Sequence, residues 1–182
     1  RWYTPLGKRA HRWGSASSPV LYESLVIVHS DIETGALVAL DRTTGREVWR
    51  VPTGEPDSWS TPLVVKSAGR EELVFHHSQG EPAKISSVNP RSGALLWSCN
   101  ALKDYLNPSP VAANGITYWL GYKKAAAVRG GGNGDVTASH LLWSATRGST
   151  VCTPIIHDGH LYFANEENGL VYCLDLATGK TV

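Results

Sequence analysis

Ala39-Leu40-Asp41-Arg42-Thr43-Thr44-Gly45-Arg46-Glu47-Val48-Trp49 decides the fold. Ala39 to Asp41 close an apolar run that opens at Ala36, and Glu47-Val48-Trp49 resumes in residues that favour strands. Between them, Asp41 can fold its carboxylate back onto turn amides, and Gly45 can take a positive φ. Alone this is one hairpin. The chain, however, repeats it. Ser87 to Trp97 places Asn89 where Asp41 stood and Ser92-Gly93 where Thr44-Gly45 stood. Cys173 to Val182 carries Asp175, Thr178 and Gly179 and stops one residue short of the expected Trp. A degenerate copy runs from Ala127-Val128-Arg129 through a Gly-rich stretch, Gly130 to Ser139, to His140-Leu141-Leu142-Trp143.

Two markers keep this period. Trp2, Trp49, Trp97 and Trp143 are separated by 47, 48 and 46 residues. Ser18-Pro19, Thr61-Pro62, Ser109-Pro110 and Thr153-Pro154 follow in phase, in steps of 43, 48 and 44. Each unit divides into short β-patterned runs with turn signals such as Ala113-Asn114-Gly115 and His157-Asp158-Gly159. No segment of useful length shows a helical period. A period in the forties with four strands per unit describes propeller blades. A β-sandwich explains the strands but not the recurring Trp. The expected fold is therefore all-β: one propeller fragment over residues 1–182, with about four four-stranded blades at 17–51, 60–99, 108–146 and 152–182. Residues 1–4 are expected to be the tail of a preceding blade.

Composition narrows the function. Lys and Arg number 17 against 16 for Asp and Glu, so no charged surface for nucleic acid is implied. No apolar run reaches the roughly 20 residues of a membrane-spanning helix, so direct membrane insertion is not expected. The chain opens mid-pattern and stops inside a copy, which suggests a piece of a longer protein. Three cysteines, Cys99, Cys152 and Cys173, fit small-residue packing better than a redox motif.

The repeated stretch resembles the tryptophan-docking repeat of the PQQ-like β-propellers, Ala-x-Asp-x-x-Thr-Gly-x-x-x-Trp. The resemblance covers essentially the whole chain and extends to secreted repeat proteins of planctomycete-type bacteria. The outer-membrane assembly factor propeller and the quinoprotein alcohol dehydrogenases share the repeat. It implies that Trp49, Trp97 and Trp143, and with them Trp2, staple blades. Each would sit against the neighbouring blade's motif, between its alanine and its turn glycine. Ala39, Asp41, Gly45, Gly93, Ala127, Asp175 and Gly179 would then have structural roles, in part of a seven- or eight-bladed ring. It also implies a periplasmic, outer-membrane-associated or secreted location, with the remaining blades of the parent chain as intramolecular partners.

The chemistry offered by the sequence is thin. The Gly-rich run Arg129 to Asp135 lacks the Gly-Lys-Ser/Thr end of a phosphate loop and no helix follows it, so it reads as a hairpin excursion. His76 and His77 are adjacent on a strand and point to opposite faces. His157 and His160 flank a turn without a third ligand. No nucleophile elbow occurs. The quinoproteins hold PQQ with calcium, next to paired cysteines that are missing here, so no cofactor, catalytic residue or metal ligand is assigned. The positional expectation is stronger. In propellers, ligands gather where connections enter the innermost strands, here around Trp13, Ser17, Asp57, Trp59, Tyr105 and Asn107. Aromatics among polar residues suit a protein or glycan ligand; otherwise Trp13 and Trp59 plug the ring. The resulting expectation is a non-catalytic binding scaffold of the cell envelope. A quinoprotein alcohol or sugar dehydrogenase fragment and an extracellular sensor domain are the alternatives.

Overall fold

A computed structural model describes residues 1–8, 11–54, 58–77, 84–102 and 107–182. It is an all-β partial propeller, as the repeats imply. The first sheet contains β1 (Val20–Tyr22), β2 (Leu25–Ser30), β3 (Ala36–Asp41) and β4 (Glu47–Pro52), paired in that order. The second has β5 (Leu63–Ser67), β6 (Arg70–His77), β7 (Lys84–Val88) and β8 (Leu95–Cys99). The third joins β9 (Val111–Ala113), β10 (Ile116–Gly121) and β11 (Lys124–Arg129) to a later outer strand. Before that strand come β12 (Gly134–Asp135) and a helical turn; the outer strand itself is β13 (Leu141–Ala145). The fourth has β14 (Ile155–His157), β15 (His160–Asn165) and β16 (Leu170–Asp175), followed by an isolated bridge from Leu174 to Thr181. All pairings within these four antiparallel series join strands in chain order. Among the described residues the helical content is two four-residue turns, Asp31–Thr34 and Thr137–His140.

Local chemistry accounts for the hairpins. Asn114-Gly115 and Asp158-Gly159 both take positive φ at both positions, the mirror-image turn whose twist matches paired strands. The second strands from the outside show why a blade needs neighbours on both sides. In β3, Ala36 to Leu40 are buried on both faces, and in β11, Ala125 to Val128 are. A strand buried on both faces loses the alternation of a half-exposed one. Three apolar clusters fill the seams. Leu25, Ile27, Ala39 and Trp49 meet Leu73, Phe75 and Val88 between the first and second sheets. Val65, Val74, Ile85 and Trp97 meet Trp119, Ala126 and Val128 between the second and third. Tyr118, Leu120, Ala127 and Trp143 meet Leu161, Phe163 and Leu174 between the third and fourth. Leu6 of the amino-terminal strap covers the remaining face of β3.

The Ser/Thr-Pro marker has its own role. The amide of Ser18 donates to Thr61 Oγ1 at 2.9 Å, the amide of Thr61 to Ser109 Oγ at 3.0 Å, and the amide of Ser109 to Thr153 Oγ1 at 3.2 Å. Each blade thus offers one hydroxyl to the amide of the blade before it. This relay needs Ser or Thr at that place, which explains the marker.

Candidate functional site

The docking motif resolves into two contacts. Asp41 Oδ1 accepts from the Thr44 amide at 2.7 Å, the Thr44 hydroxyl at 2.8 Å and the Thr43 amide at 3.0 Å. These bonds, led by the Thr44 hydroxyl, hold the Asp41 carboxyl below its ordinary pKa. Asp175 repeats them with Thr178, with the same direction of shift, while Asn89 uses its Oδ1 for the Arg91 amide. Gly45, Gly93 and Gly179 take left-handed φ of 74°, 72° and 69°. A Cβ there would lie 2.5 Å from Trp2, 2.9 Å from Trp49 and 2.5 Å from Trp143, respectively. Each of these indoles also donates from Nε1 to the carbonyl just after the turn Asp or Asn. Trp2 reaches Arg42, Trp49 reaches Pro90 and Trp143 reaches Leu176.

The alanine departs from its expected place. Ala39 lies opposite Trp49 of its own sheet, and Ala127 opposite Trp143 of its own, each just before a register-shifting bulge. The turn glycine serves the preceding tryptophan, whereas the alanine serves its own; a small residue there leaves the facing indole room.

Trp97 docks differently. The third blade has no short turn to receive it, and its Nε1 donates to the buried carboxylate of Glu72 at 2.9 Å. Glu72 also accepts from Arg70 Nε at 2.6 Å and from the Gly131 amide at 3.2 Å. The Gly-rich excursion runs back over the second blade. There β12 pairs in parallel with β8, Gly134 opposite Trp97 and Asp135 opposite Ser98, and Val136 is buried in the seam. A Cβ on Gly130 or Gly131 would strike Ser67 at 2.7 Å or Ala68 at 2.4 Å. The glycines are there for close packing on the β5–β6 turn, and the loop's Gly131 amide binds a carboxylate of the protein itself.

At the loops leading into first strands, three of the expected residues come together. His11, Trp13, Trp59, Asn107 and Thr150 line one pocket of about 390 Å³. They come from four approaches: His11 and Trp13 from the strap before β1, and Trp59, Asn107 and Thr150 from the segments before β5, β9 and β14. The strap closes into a turn with the Gly14 amide on the His11 carbonyl, and Trp59 Nε1 locks it by donating to the Gly14 carbonyl at 2.7 Å. The His11 ring centroid lies 5.0 Å from Trp13 and 5.1 Å from Trp59, and the two indoles are 6.0 Å apart. The Arg12 guanidinium lies over Trp13 at 4.9 Å. Trp59 is half-buried and acts as the anchor, whereas Trp13 is 69% exposed. Behind Thr150, Glu166 accepts from Ser149 Oγ and from the Thr150 amide, each at 2.7 Å. Burial pulls its carboxyl upward, yet these bonds hold it down at about 2. Ser17 stands apart from the pocket with a buried, unpartnered hydroxyl. Asp57 and Tyr105 lie outside the described residues. His11 and Thr150 went unmarked in the sequence reading, although the same positional rule, carried to every approach, reaches both.

The other candidates have structural surroundings. His77 stacks on Phe75 and meets Ser86 Oγ at 2.7 Å, and His29 packs edge-on to the same ring. Burial lowers His77 to about 4 and His76 to about 3, so both are neutral. His157 and His160 face each other across their hairpin. All three cysteines are free; Cys99 is buried beside Trp97, and burial pushes its thiol up to about 11.

The family described as "Outer membrane protein assembly factor BamB" matches residues 1–182. The outer membrane protein assembly factor BamB of Salmonella typhimurium is 26% identical over 116 residues, which is 63% of this chain and 29% of that protein. The crystal structure of BamB from Moraxella catarrhalis superposes with a TM-score of 0.71 at 18% identity, over 92% of this chain and 50% of that one. A quinohemoprotein alcohol dehydrogenase of Pseudomonas putida superposes with a TM-score of 0.63 at 15% identity, over 92% of this chain and 34% of that one. The chain therefore spans half or less of the length of these relatives.

Proposed function

The chain belongs to the BamB family of PQQ-like repeat propellers, and from that premise we propose that it is a non-catalytic binding scaffold of the cell envelope that recognises protein partners. The site is the pocket of His11, Trp13, Trp59, Asn107 and Thr150. One observation carries the reading: three residues picked by position alone, on separate loops, converge on a single apolar pocket with an exposed indole at its rim. Exposed tryptophan beside a concave apolar wall is the composition of binding hot spots. The names of the relatives point to outer-membrane protein assembly, so the partners would be outer-membrane proteins or their assembly machinery. The location would be periplasmic and outer-membrane-associated. Among the described residues no helix is long and apolar enough to cross a membrane.

The test is direct binding. An outer-membrane β-barrel protein diluted from urea should be kept from aggregating by the chain, with Trp13 fluorescence shifting on contact; no contact with barrel or assembly components would overturn the reading. Titration with PQQ and Ca²⁺ addresses the dehydrogenase alternative: saturable tryptophan quenching would replace the scaffold reading with a cofactor-binding one.

A further inference from the structure

We infer that Asp31 and Glu166 are positioning residues for the pocket: from the same place in the first and fourth blades, each holds one wall of it by hydrogen bonds to a loop that leads into a first strand. This role rests on the reading of the pocket as the partner-binding site and says what keeps that site in shape.

Strand pairing fixes the equivalence. Leu25 lies opposite Asp41, and His160 lies opposite Asp175, the matching turn aspartate. Asp31 and Glu166 follow Leu25 and His160 at the same distance, each just past the end of its strand. The same count reaches Tyr122 in the third blade, so a blade can be built without an acid there.

What the two acids share is a neighbour in the pocket wall. Asp31 Oδ2 accepts from the Ser58 amide at 2.8 Å, and its Oδ1 takes the Thr53 hydroxyl. On the other side of Trp59, His29 Nδ1 donates to the Ser60 carbonyl at 3.0 Å, and His29 Nε2 lies 3.8 Å from Asp31 Oδ1. The backbone is thus gripped immediately before and immediately after Trp59, from β2 and the helical turn that follows it. The grip lies inside the protein, for His29, Asp31, Ser58 and Ser60 are all buried. Trp59 hands the constraint on, since its Nε1 donates to the Gly14 carbonyl and locks the turn that carries His11 and Trp13.

The Thr150 wall is held by the same means. Glu166 Oε1 accepts from the Thr150 amide at 2.7 Å and also takes the Thr150 hydroxyl, while Oε2 accepts from Ser149 Oγ at 2.7 Å. Ser149 Oγ in turn accepts from the amides of Val151 and Cys152, at 3.2 and 2.9 Å. Asp31 steadies the loop that leaves its own blade, and Glu166 the loop that enters its own. Hydrogen bonds to a carboxylate are stronger than those between neutral groups. Loops fixed in this way form a site that its ligand need not order, and less binding energy is lost to ordering.

Paired variants test this: Asp31→Ala with Asp31→Asn, and Glu166→Ala with Glu166→Gln. The readouts are the Trp59 indole and Thr150 amide resonances, with the Trp49, Trp97 and Trp143 indoles as references, and binding of a urea-diluted outer-membrane β-barrel protein. Asp31→Ala should shift the Trp59 indole and leave the seam indoles in place. Glu166→Ala should shift the Thr150 amide and leave the Trp59 indole. Each should weaken barrel binding about tenfold. Asn and Gln should restore most of both signals, because an amide oxygen still accepts from the Ser58 or Thr150 N–H. Asp31→Ala empties a buried place, so His29→Phe gives a second route to the same wall. It keeps a ring beside Phe75, removes the donor to Ser60 and should also shift the Trp59 indole alone. Trp59 and Thr150 resonances that stay in place, seam indoles that move as far as Trp59, or amide variants no better than alanine would overturn the inference. So would barrel binding that is equal in every variant, an outcome that leaves the scaffold reading standing. Resonances that move as expected, beside a wild type that binds no barrel protein, would keep the positioning role and remove the envelope partner.

Discussion

The first and second blades are joined in one way, the second and third in another. At the first seam Trp49 rests on the left-handed Gly93 and donates to a turn carbonyl. At the second, Trp97 is fully buried and donates to a buried carboxylate, under a loop that returns as a fifth strand. The first device is built from repeat positions: Trp49 of one copy meets Pro90 and Gly93 of the next, one period on. In the second, Trp97 is a repeat position but its partners Glu72 and Gly131 are not. When the short turn is lost, the indole still needs a partner for its N–H and cover for its face. The Gly-rich excursion and Glu72 supply both.

Removing each tryptophan gives the largest contrast. Trp97→Ala should cost about 5 kcal/mol and Trp49→Ala about 3 kcal/mol, because Trp97 also leaves the Glu72 carboxylate short of a donor. Urea unfolding of the two variants measures this, and equal losses would mean that the second seam is no more than a variant of the first.

Acid should strike β6 on both of its faces, His77 beside Phe75 at the first seam and His76 on the side of Ile85 and the second. His76 and His77 are held neutral by burial, with His29 nearby adding to the effect, Lys84 reinforcing it at His77 and Asp31 opposing it there. Their folded pKa values lie below the unfolded value of about 6.5, so the unfolded chain binds more protons as pH drops. Their contribution is present above about pH 6.5 and is lost between there and pH 3 to 4. Stability should fall by on the order of 5 kcal/mol between pH 7 and 4.5, and His76→Leu should remove about half of the slope of the urea-midpoint profile. A flat wild-type profile would contradict neutral burial.

Gly93→Ala tests the first seam's other half. Left-handed φ and the 2.9 Å approach of Trp49 together should cost about 2 kcal/mol. The smallest effect is expected from Asp41→Asn, under about 0.5 kcal/mol in thermal unfolding, because Asn89 already performs that turn in the second blade.

How much of this was legible follows from the same contrast. Trp49, Gly45, Asp41 and their copies announced themselves because their contacts run from one copy to the next and so recur with the period. Trp13, Trp59 and Asn107 were reachable because the repeat says where each first strand begins. Glu72 was not, since a carboxylate in a strand buried on both faces shows nothing of its partners until the strand's neighbours are known. The return of Gly134 and Asp135 to β8 is a parallel pairing across a long separation, which no turn signal encodes. The alanine was placed against the wrong tryptophan because the motif's order along the chain does not say which indole a cross-strand neighbour faces.

The hydroxyl relay through Ser18, Thr61, Ser109 and Thr153 has a direction: every amide points to the following blade. Among the described residues its loose valences are unlike, a hydroxyl at Ser18 and an amide at Thr153. Two Thr153 amides cannot satisfy each other, whereas a further repeat with Ser or Thr at the same place would accept from one. A series extended in that way runs head to tail, and a head-to-tail series ends without loose valences only when it closes into a ring.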